Sequence, residues 1–311
     1  MEEIAIALGG GGMKGIAHIG ALRTLEKAGY TIRAISGTSA GGIVGAIYAA
    51  GYTTEQIETM LTNVPQKHMF TRQEKDGPSL LGFKGLVDVL TEALGDRTFE
   101  DLPIPFACTA VDLISHQEII LSHGRVVDAV LATVAVPGIF PPQQIGETML
   151  VDGRVLDPVP VKLARWLAPN LPIVAVVLSP VPEEWAHLPP FRVPSSSPIP
   201  APVIYTMTRL RVGQAFKIFT DSMDITSHSL SELRLQVDKP DVIIRPNVYH
   251  YSMLDDVDPL DLIQQGEKAT QQVLPQIAET LSWRQQIGRR FRKADLPGRM
   301  LPPEEQTAAA E

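Results

Sequence analysis

Ser39 stands at the centre of Gly37-Thr38-Ser39-Ala40-Gly41. The run before it, residues 32 to 36, reads as a short strand, and residues 40 to 50 read as a helix crowded with small side chains. A serine on a sharp strand-to-helix turn projects its hydroxyl out of the sheet, where it can attack a carbonyl carbon. Such a turn strains the backbone, and the residues two places either side must be small. Gly37 and Gly41 meet that demand. The helix that follows aims its N-terminus at the hydroxyl and favours negative charge developing there. The chemistry these residues allow is acyl transfer through a covalent ester on Ser39. G-x-S-x-G arises by chance in loops rich in Gly and Ser; the flanking strand and helix give it weight.

A second cluster is Gly9-Gly10-Gly11-Gly12-Met13-Lys14-Gly15, after a first strand at residues 4 to 8 and at the opening of a helix. Three mechanisms ask for glycine at such a place. A dinucleotide fold wants G-x-G-x-x-G, which Gly10, Gly12 and Gly15 match, plus a carboxylate after the second strand. Ser36-Gly37-Thr38-Ser39 offers none. A phosphate-binding P-loop wants Lys followed by Ser or Thr; Lys14 is followed by Gly15 and Ile16. An oxyanion hole wants consecutive backbone N–H groups turned to one point. Only that reading also uses the serine turn. Lys14 has two open roles, as a charge near the oxyanion or substrate, or as a surface residue at a helix start.

The serine needs a base, because a neutral hydroxyl is a poor nucleophile. Asp152-Gly153 follows the apolar run Met149-Leu150-Val151. Asp-Gly alone is a common hairpin turn. The chain has 7 histidines, and none has the strand-end context of the usual Ser, Asp and His order. A carboxylate acting directly on Ser39 is therefore a live option. With an ordinary pKa of about 3.9, such a carboxylate must be held within hydrogen-bond reach.

These groups meet only if strands carry them to one end of a sheet. Strands are expected near 104–111, 116–121, 147–151, 173–178 and 242–244. Helices are expected over 16–28, 54–63, 125–134, 203–237 and 259–281, with Thr53 and Gln56 forming a capping box. Residues 65 to 82 are irregular and carry Met69, Phe70, Leu80 and Leu81; they read as a mobile flap, an apolar docking surface or a packed loop. Residues 180 to 202 read as a linker or surface loop. Strands alternating with helices predict one α/β domain over 1–283, a mainly parallel sheet covered on both faces. Residues 284 to 311 have a basic first half that suits anionic lipid headgroups, and read foremost as a solvated, flexible tail.

The 311 residues are 44% hydrophobic and 20% charged, as in a soluble globular protein. A net charge of −8 argues against nucleic acid as a partner, since phosphate binding needs a basic field. It leaves peripheral membrane contact open. The single cysteine, Cys108, excludes an intramolecular disulfide and any zinc site built on two cysteines. It reads as a small buried hydrophobe in a strand. No secretory signal and no run of ~18 apolar residues is visible, so the expected location is cytoplasmic.

Together the three motifs resemble the patatin-like phospholipase family, whose pattern is G-G-G-x-[KR]-G, then G-x-S-x-G, then D-G-[GA]. Ala135-Val136-Pro137-Gly138-Ile139-Phe140-Pro141-Pro142 and Asp157-Pro158-Val159-Pro160-Val161 extend the likeness, which covers roughly residues 3 to 275. The resemblance implies a three-layer α/β/α sandwich and hydrolysis of acyl esters in lipids. It implies a Ser-Asp dyad in which Ser39 attacks and Asp152 takes its proton. It implies an oxyanion hole drawn from the amides of Gly10, Gly11, Gly12 and Met13, with Gly11 and Gly12 at its centre. Lys14, Gly15, Gly37, Gly41 and Gly153 would support these motifs. No metal or organic cofactor is implied. The partner implied is an acyl-lipid substrate. Two residues depart from the pattern: Arg154 replaces a small residue, and Asp157 stands where Asn is expected. A cation beside Asp152 would lower its pKa and weaken it as a base, unless Arg154 points to solvent or a lipid phosphate. The alternative to a hydrolase is a non-catalytic lipid-binding or regulatory protein on the same fold.

Overall fold

Along strand β1 (Glu2–Leu8), Ile4, Ile6 and Leu8 point to one face and Ala5 and Ala7 to the other. Side chains alternate along a strand, so this sequence puts large residues on one side of the sheet and small ones on the other. The large face meets a thick layer of helices: α1 (Ala17–Lys27), α2 (Ala40–Ala49), α3 (Thr54–Thr62), α4 (Gln66–Met69), α5 (Lys84–Leu94) and α6 (Val126–Thr133). The small face lets α7 (Val161–Leu167) approach closely through Val161 and Ala164, with Leu235 of α8 (Arg211–Asp238) beside them. Helix α9 (Pro259–Thr280) returns to the first layer through Leu262 and Ile263. Each fully buried Leu or Ile contributes on the order of 1.5–3 kcal/mol. The computed structural model describes residues 2–74, 76–187, 211–290 and 294–301.

The remaining strands are β2 (Tyr30–Gly37), β3 (Phe106–Asp112), β4 (Gln117–Leu121), β5 (Gln143–Ile145), β6 (Thr148–Asp152), β7 (Ile173–Val176) and β8 (Val242–Ile244). They follow the order β5-β6-β3-β2-β1-β7-β8, with β4 on the other edge of β3. Strands β3, β2, β1, β7 and β8 are mutually parallel. Strands β4 and β6 run antiparallel to β3, and β5 runs antiparallel to β6, so the sheet is mixed with a parallel centre. This is the three-layer α/β/α arrangement that the sequence predicts.

Some elements differ from expectation. Helix α5 lies outside the helices that the sequence predicts, although Leu86, Val89, Leu90, Ala93 and Leu94 recur at helical spacing and are buried. Residues 65–82 form a packed wall: Met69, Leu81 and Phe83 are buried, and Phe140 stacks on Phe83 at 4.8 Å and meets Phe70 at 5.1 Å. Residues 182–187 form a short 3-10 turn, and 188–210 lie outside the described residues. The basic C-terminal segment is partly docked. It forms α10 (Trp283–Arg290), and β9 (Arg299–Met300) pairs with β4. Arg289 is buried and donates to the Thr280 carbonyl at 2.7 Å. The physical reason is the open edge of β4, whose unpaired backbone groups attract a further strand.

Candidate active site

Strands β2 and β6 use the same edge of β3 in succession. Gly37 pairs with Cys108, and two residues further along β3, Ala110 pairs with Asp152. Cys108 has Leu121 of β4 on its other side, which fixes β2 and β6 to one edge. The chain therefore leaves the sheet at Thr38-Ser39 where β6 enters, and Asp152 arrives beside the turn. The sequence predicted both residues; the shared edge is what joins them.

Ser39 has φ 54 and ψ −123, a left-handed conformation that strains a residue with a Cβ. Surrounding bonds hold it there. Its N–H donates to Thr133 Oγ1 at 3.0 Å, and Thr133 Oγ1 donates to the Thr109 carbonyl at 2.6 Å. Thr38 donates through its N–H to the Leu8 carbonyl at 3.0 Å and through Oγ1 to the Asp157 carbonyl at 2.9 Å. The expected need for small neighbours is met: a Cβ at Gly37 would lie 2.6 Å from the Gly41 carbonyl oxygen, and one at Gly41 would strike the Leu8 carbonyl. Thr133 was not singled out in the sequence, and a lone threonine at a helix end gives no signal of this kind. Thr133→Val keeps the shape but strands a buried N–H and a buried carbonyl, which costs about 1–3 kcal/mol of stability. Misplacing the serine should also lower kcat about 10-fold or more, with KM nearly unchanged. Chemical denaturation and steady-state kinetics check this, and Thr133→Ser should restore both.

Asp152 is fully buried, and that burial pushes its pKa up to about 6. The Arg154 guanidinium, the Ser39 hydroxyl and the Arg154 backbone N–H pull in the opposite direction without cancelling the rise. Oδ1 accepts that N–H at 2.8 Å. Oδ2 has no partner at full hydrogen-bond geometry among the described residues. Ser39 and Asp152 are thus neighbours whose bond falls short of full geometry. No histidine lines the pocket that holds Ser39.

The two departures from the family pattern resolve differently. Arg154 pairs with Asp224 of α8 at 2.7 Å and still draws the Asp152 pKa down, without cancelling the rise from burial. Asp157 is fully buried, and burial together with Glu118 and Asp238 holds its carboxyl well above the usual range, against the pull of Arg234. Its carboxyl belongs to that group, and only its backbone carbonyl reaches the serine turn. Cys108 is buried and its thiol is pushed upward, as expected of a core residue.

In the glycine loop, three amides are already engaged. Gly9 N–H donates to Val176 at 2.9 Å, Gly10 N–H to Pro158 at 3.0 Å and Met13 N–H to Met253 at 2.9 Å, each to a carbonyl. Of the amides expected around the oxyanion, those of Gly11 and Gly12 alone have no backbone acceptor among the described residues. His18 sits beneath the loop. Burial lowers its pKa to about 4, so it is neutral, and Nε2 donates to the Gly9 carbonyl at 2.8 Å. Lys14 is buried, not a surface residue, and desolvation lowers its pKa to about 8.

Two cavities flank the loop. One, of about 70 Å³, holds Ser39 and is walled by Ile43, Phe70, Phe83, Leu86 and Phe140. The other, of about 250 Å³, does not contain Ser39; Gly10, Gly11, Lys14, Arg154 and His228 line it. The smaller one is the candidate reaction site, because it holds Ser39. Among the described residues no group of three His, Cys, Asp or Glu is placed to hold a metal ion. No described helix is long and apolar enough to cross a membrane.

The family model for patatin-like phospholipases matches residues 6–165, which contain all three motifs. An NTE family protein of Mycobacterium tuberculosis is 31% identical over 160 residues, 51% of this chain and 44% of that protein. A lysophospholipase of Saccharomyces cerevisiae, NTE1, is 28% identical over 169 residues, 53% of this chain and 10% of that protein. The chain therefore matches less than half the length of these curated relatives. The crystal structure of VipD from Legionella pneumophila shares the fold, with a TM-score of 0.51 at 12% identity over 90% of this chain and 67% of that one.

Proposed function

The chain belongs to the patatin-like phospholipase family, and on that premise we propose that it is a serine lipid acyl hydrolase working through Ser39 and Asp152. The observation that carries this reading is a serine on a strained turn beside a buried carboxylate whose pKa is raised to about 6. A free aspartate is too weak a base to share a serine proton at neutral pH. One poised near 6 is still ionised at pH 7 and binds a proton far more readily.

Ser39 Oγ adds to the ester carbonyl while its proton passes to Asp152. The carbonyl oxygen becomes an oxyanion, within reach of the free amides of Gly11 and Gly12. The tetrahedral centre then collapses, the carbon–oxygen bond to the alcohol breaks, and Asp152 returns the proton to the departing alkoxide. An acyl-Ser39 ester remains, with the acyl chain in the apolar pocket under Phe70, Phe83 and Phe140. Water repeats the sequence: Asp152 takes its proton, hydroxide adds to the acyl carbon, and Ser39 leaves with the proton restored. The products are an alcohol and a carboxylic acid.

A fluorophosphonate probe captures a serine activated in this way. The expected result is one phosphonyl group per chain, mapped by mass spectrometry to the peptide carrying Ser39. A chain that stays unmodified, or is modified only elsewhere, refutes the assignment.

A further inference from the structure

Residues 156–160 tie the two halves of the candidate site together. The Asp157 carbonyl accepts from Thr38 Oγ1 at 2.9 Å, next to Ser39. The Pro158 carbonyl accepts from the Gly10 N–H at 3.0 Å, and the Pro160 carbonyl from Ser36 Oγ at 2.7 Å. One short strap therefore holds the serine turn, the end of β2 and the glycine loop. Pro158 and Pro160 fix their own φ and disfavour helical backbone at Asp157 and Val159, so the strap is stiff. A shift at Asp157 is carried to all three contacts. Arg234 Nε anchors the strap from α8 by donating to the Leu156 carbonyl at 3.1 Å. The Asp157 carboxyl, fully buried, anchors it from within.

That carboxyl enters a crowded group. Arg234 reaches Glu118 of β4 at 3.2 Å and Asp238 of α8 at 3.8 Å. Asp157 is a third acid acting on the same guanidinium, and neither of its oxygens has a hydrogen-bond partner at full geometry among the described residues. The Val159 N–H favours its ionised form, but less than Arg234 does. From α7, Lys162 acts on Glu118 and Asp238, and Arg165 on Asp238. Full ionisation would set three buried negative charges around one guanidinium, and like charges held together in this way do not all ionise. A neutral acid has an O–H to donate, which an ionised carboxylate lacks. Glu118 Oε1 and the Asp238 oxygens are buried acceptors with no hydrogen bond among the described residues. We propose that Asp157 carries a proton at neutral pH and, as a neutral donor to Glu118 or Asp238, seats the strap that sets the serine turn against the glycine loop. Asp157 is then a positioning residue, and only its effect on rate rests on the acyl-hydrolase reading.

Infrared difference spectra of wild type and Asp157→Asn at pH 7.5 test the proton without any turnover. The wild type should show the carbonyl stretch of a protonated carboxylic acid that the variant lacks. Asp152, with a pKa of about 6, is mostly ionised at that pH and does not mask it. In Glu118→Gln the same band should titrate away at lower pH, since one charge opposing ionisation is gone. Asn is neutral and donates as the acid does, so Asp157→Asn should melt higher than the wild type. The margin should grow as pH rises from about 4 towards 8, because the unfolded aspartate ionises before the folded one. A difference spectrum without the band, or a variant that melts lower at pH 7.5, overturns the proton. Hydrogen exchange reads the strap. Asp157→Leu, similar in size but unable to donate, should speed exchange in peptides covering 9–15 and 36–41 by about tenfold or more, and Asp157→Asn should restore protection. In the same pair kcat should fall about tenfold with KM nearly unchanged, then recover. Full protection in Asp157→Leu overturns the strap. The infrared and melting arms need no Asp157→Leu protein, so they decide the matter if that variant does not fold. A wild type that shows the band and the protection yet hydrolyses no ester refutes the hydrolase reading and leaves the protonated strap standing.

Discussion

Asp152→Asn is expected to lower kcat by about 10³- to 10⁴-fold, the upper range for removing a general base, while leaving the chain better folded at neutral pH than before. The rate effect follows from the proton. Asn has no lone-pair base of useful strength, so Ser39 must attack without handing its proton on. The wild-type pH profile carries the same signature. Asp152 must be ionised to act, and its pKa stands at about 6. Thus kcat/KM should be level above pH 7 and fall tenfold per pH unit once well below 6. The residual activity of Asp152→Asn should lack that limb. A variant that retains near-normal turnover, or keeps the same acid limb, removes Asp152 from the mechanism.

The stability effect has the opposite sign, and this separates the catalytic role from a merely structural one. Burial raises the Asp152 pKa from the ordinary 3.8 to about 6. Well below pH 3.8 the group is protonated whether the chain is folded or not, and it makes no difference. As pH rises towards 6 the unfolded chain ionises first, so stability is lost progressively, reaching on the order of 3 kcal/mol at neutral pH. Asn carries no such penalty, and its amide oxygen can still accept the Arg154 N–H. The gap between the two melting curves should therefore be small at about pH 3 and grow towards pH 7.5, with Asp152→Asn the higher there. A structural aspartate would show the reverse.

The residues whose type is forced by chemistry were legible in the sequence. Gly37, Ser39, Gly41, Asp152 and the glycine loop all stand at the turns where the sequence places them, with Gly37 and Gly41 leaving no room for a side chain. The alternation of strands with helices likewise announces a sheet covered on both faces. What the sequence did not show depends on pairing between distant segments. The handover of one β3 edge from β2 to β6 is a matter of register, and no local pattern encodes it. Which loop amides remain free is decided by the carbonyls of Pro158 and Met253. Arg154 reads as a threat to the base, and only the burial of Asp152 and the position of Asp224 on α8 show why its pull does not prevail. The basic C-terminal segment read as solvated because composition cannot reveal that β4 offers it an open edge.

Gly12→Ala should reduce kcat by about 10²- to 10³-fold, the usual consequence of losing one oxyanion donor. Gly12 has φ +60, which alanine adopts only with strain, and an added Cβ would strike the Met253 carbonyl. That carbonyl accepts the Met13 N–H, so the clash falls on the bond that holds the loop. The loop must shift, and the two free amides shift with it. Some loss of thermal stability is expected from the strain alone, so kinetics do not suffice to identify the cause. The phosphonylated enzyme supplies the missing readout. Its tetrahedral phosphoryl oxygen should occupy the place of the oxyanion and accept from Gly11 and Gly12, raising the melting temperature of the wild type above that of the unmodified chain. In Gly12→Ala, labelled to completion, this increment should vanish even after the lower starting stability is allowed for. If the increment survives intact, the amides of the glycine loop are not what holds the oxyanion, and the donors must be sought at the start of α2, where Ala40 lines the same pocket as Ser39.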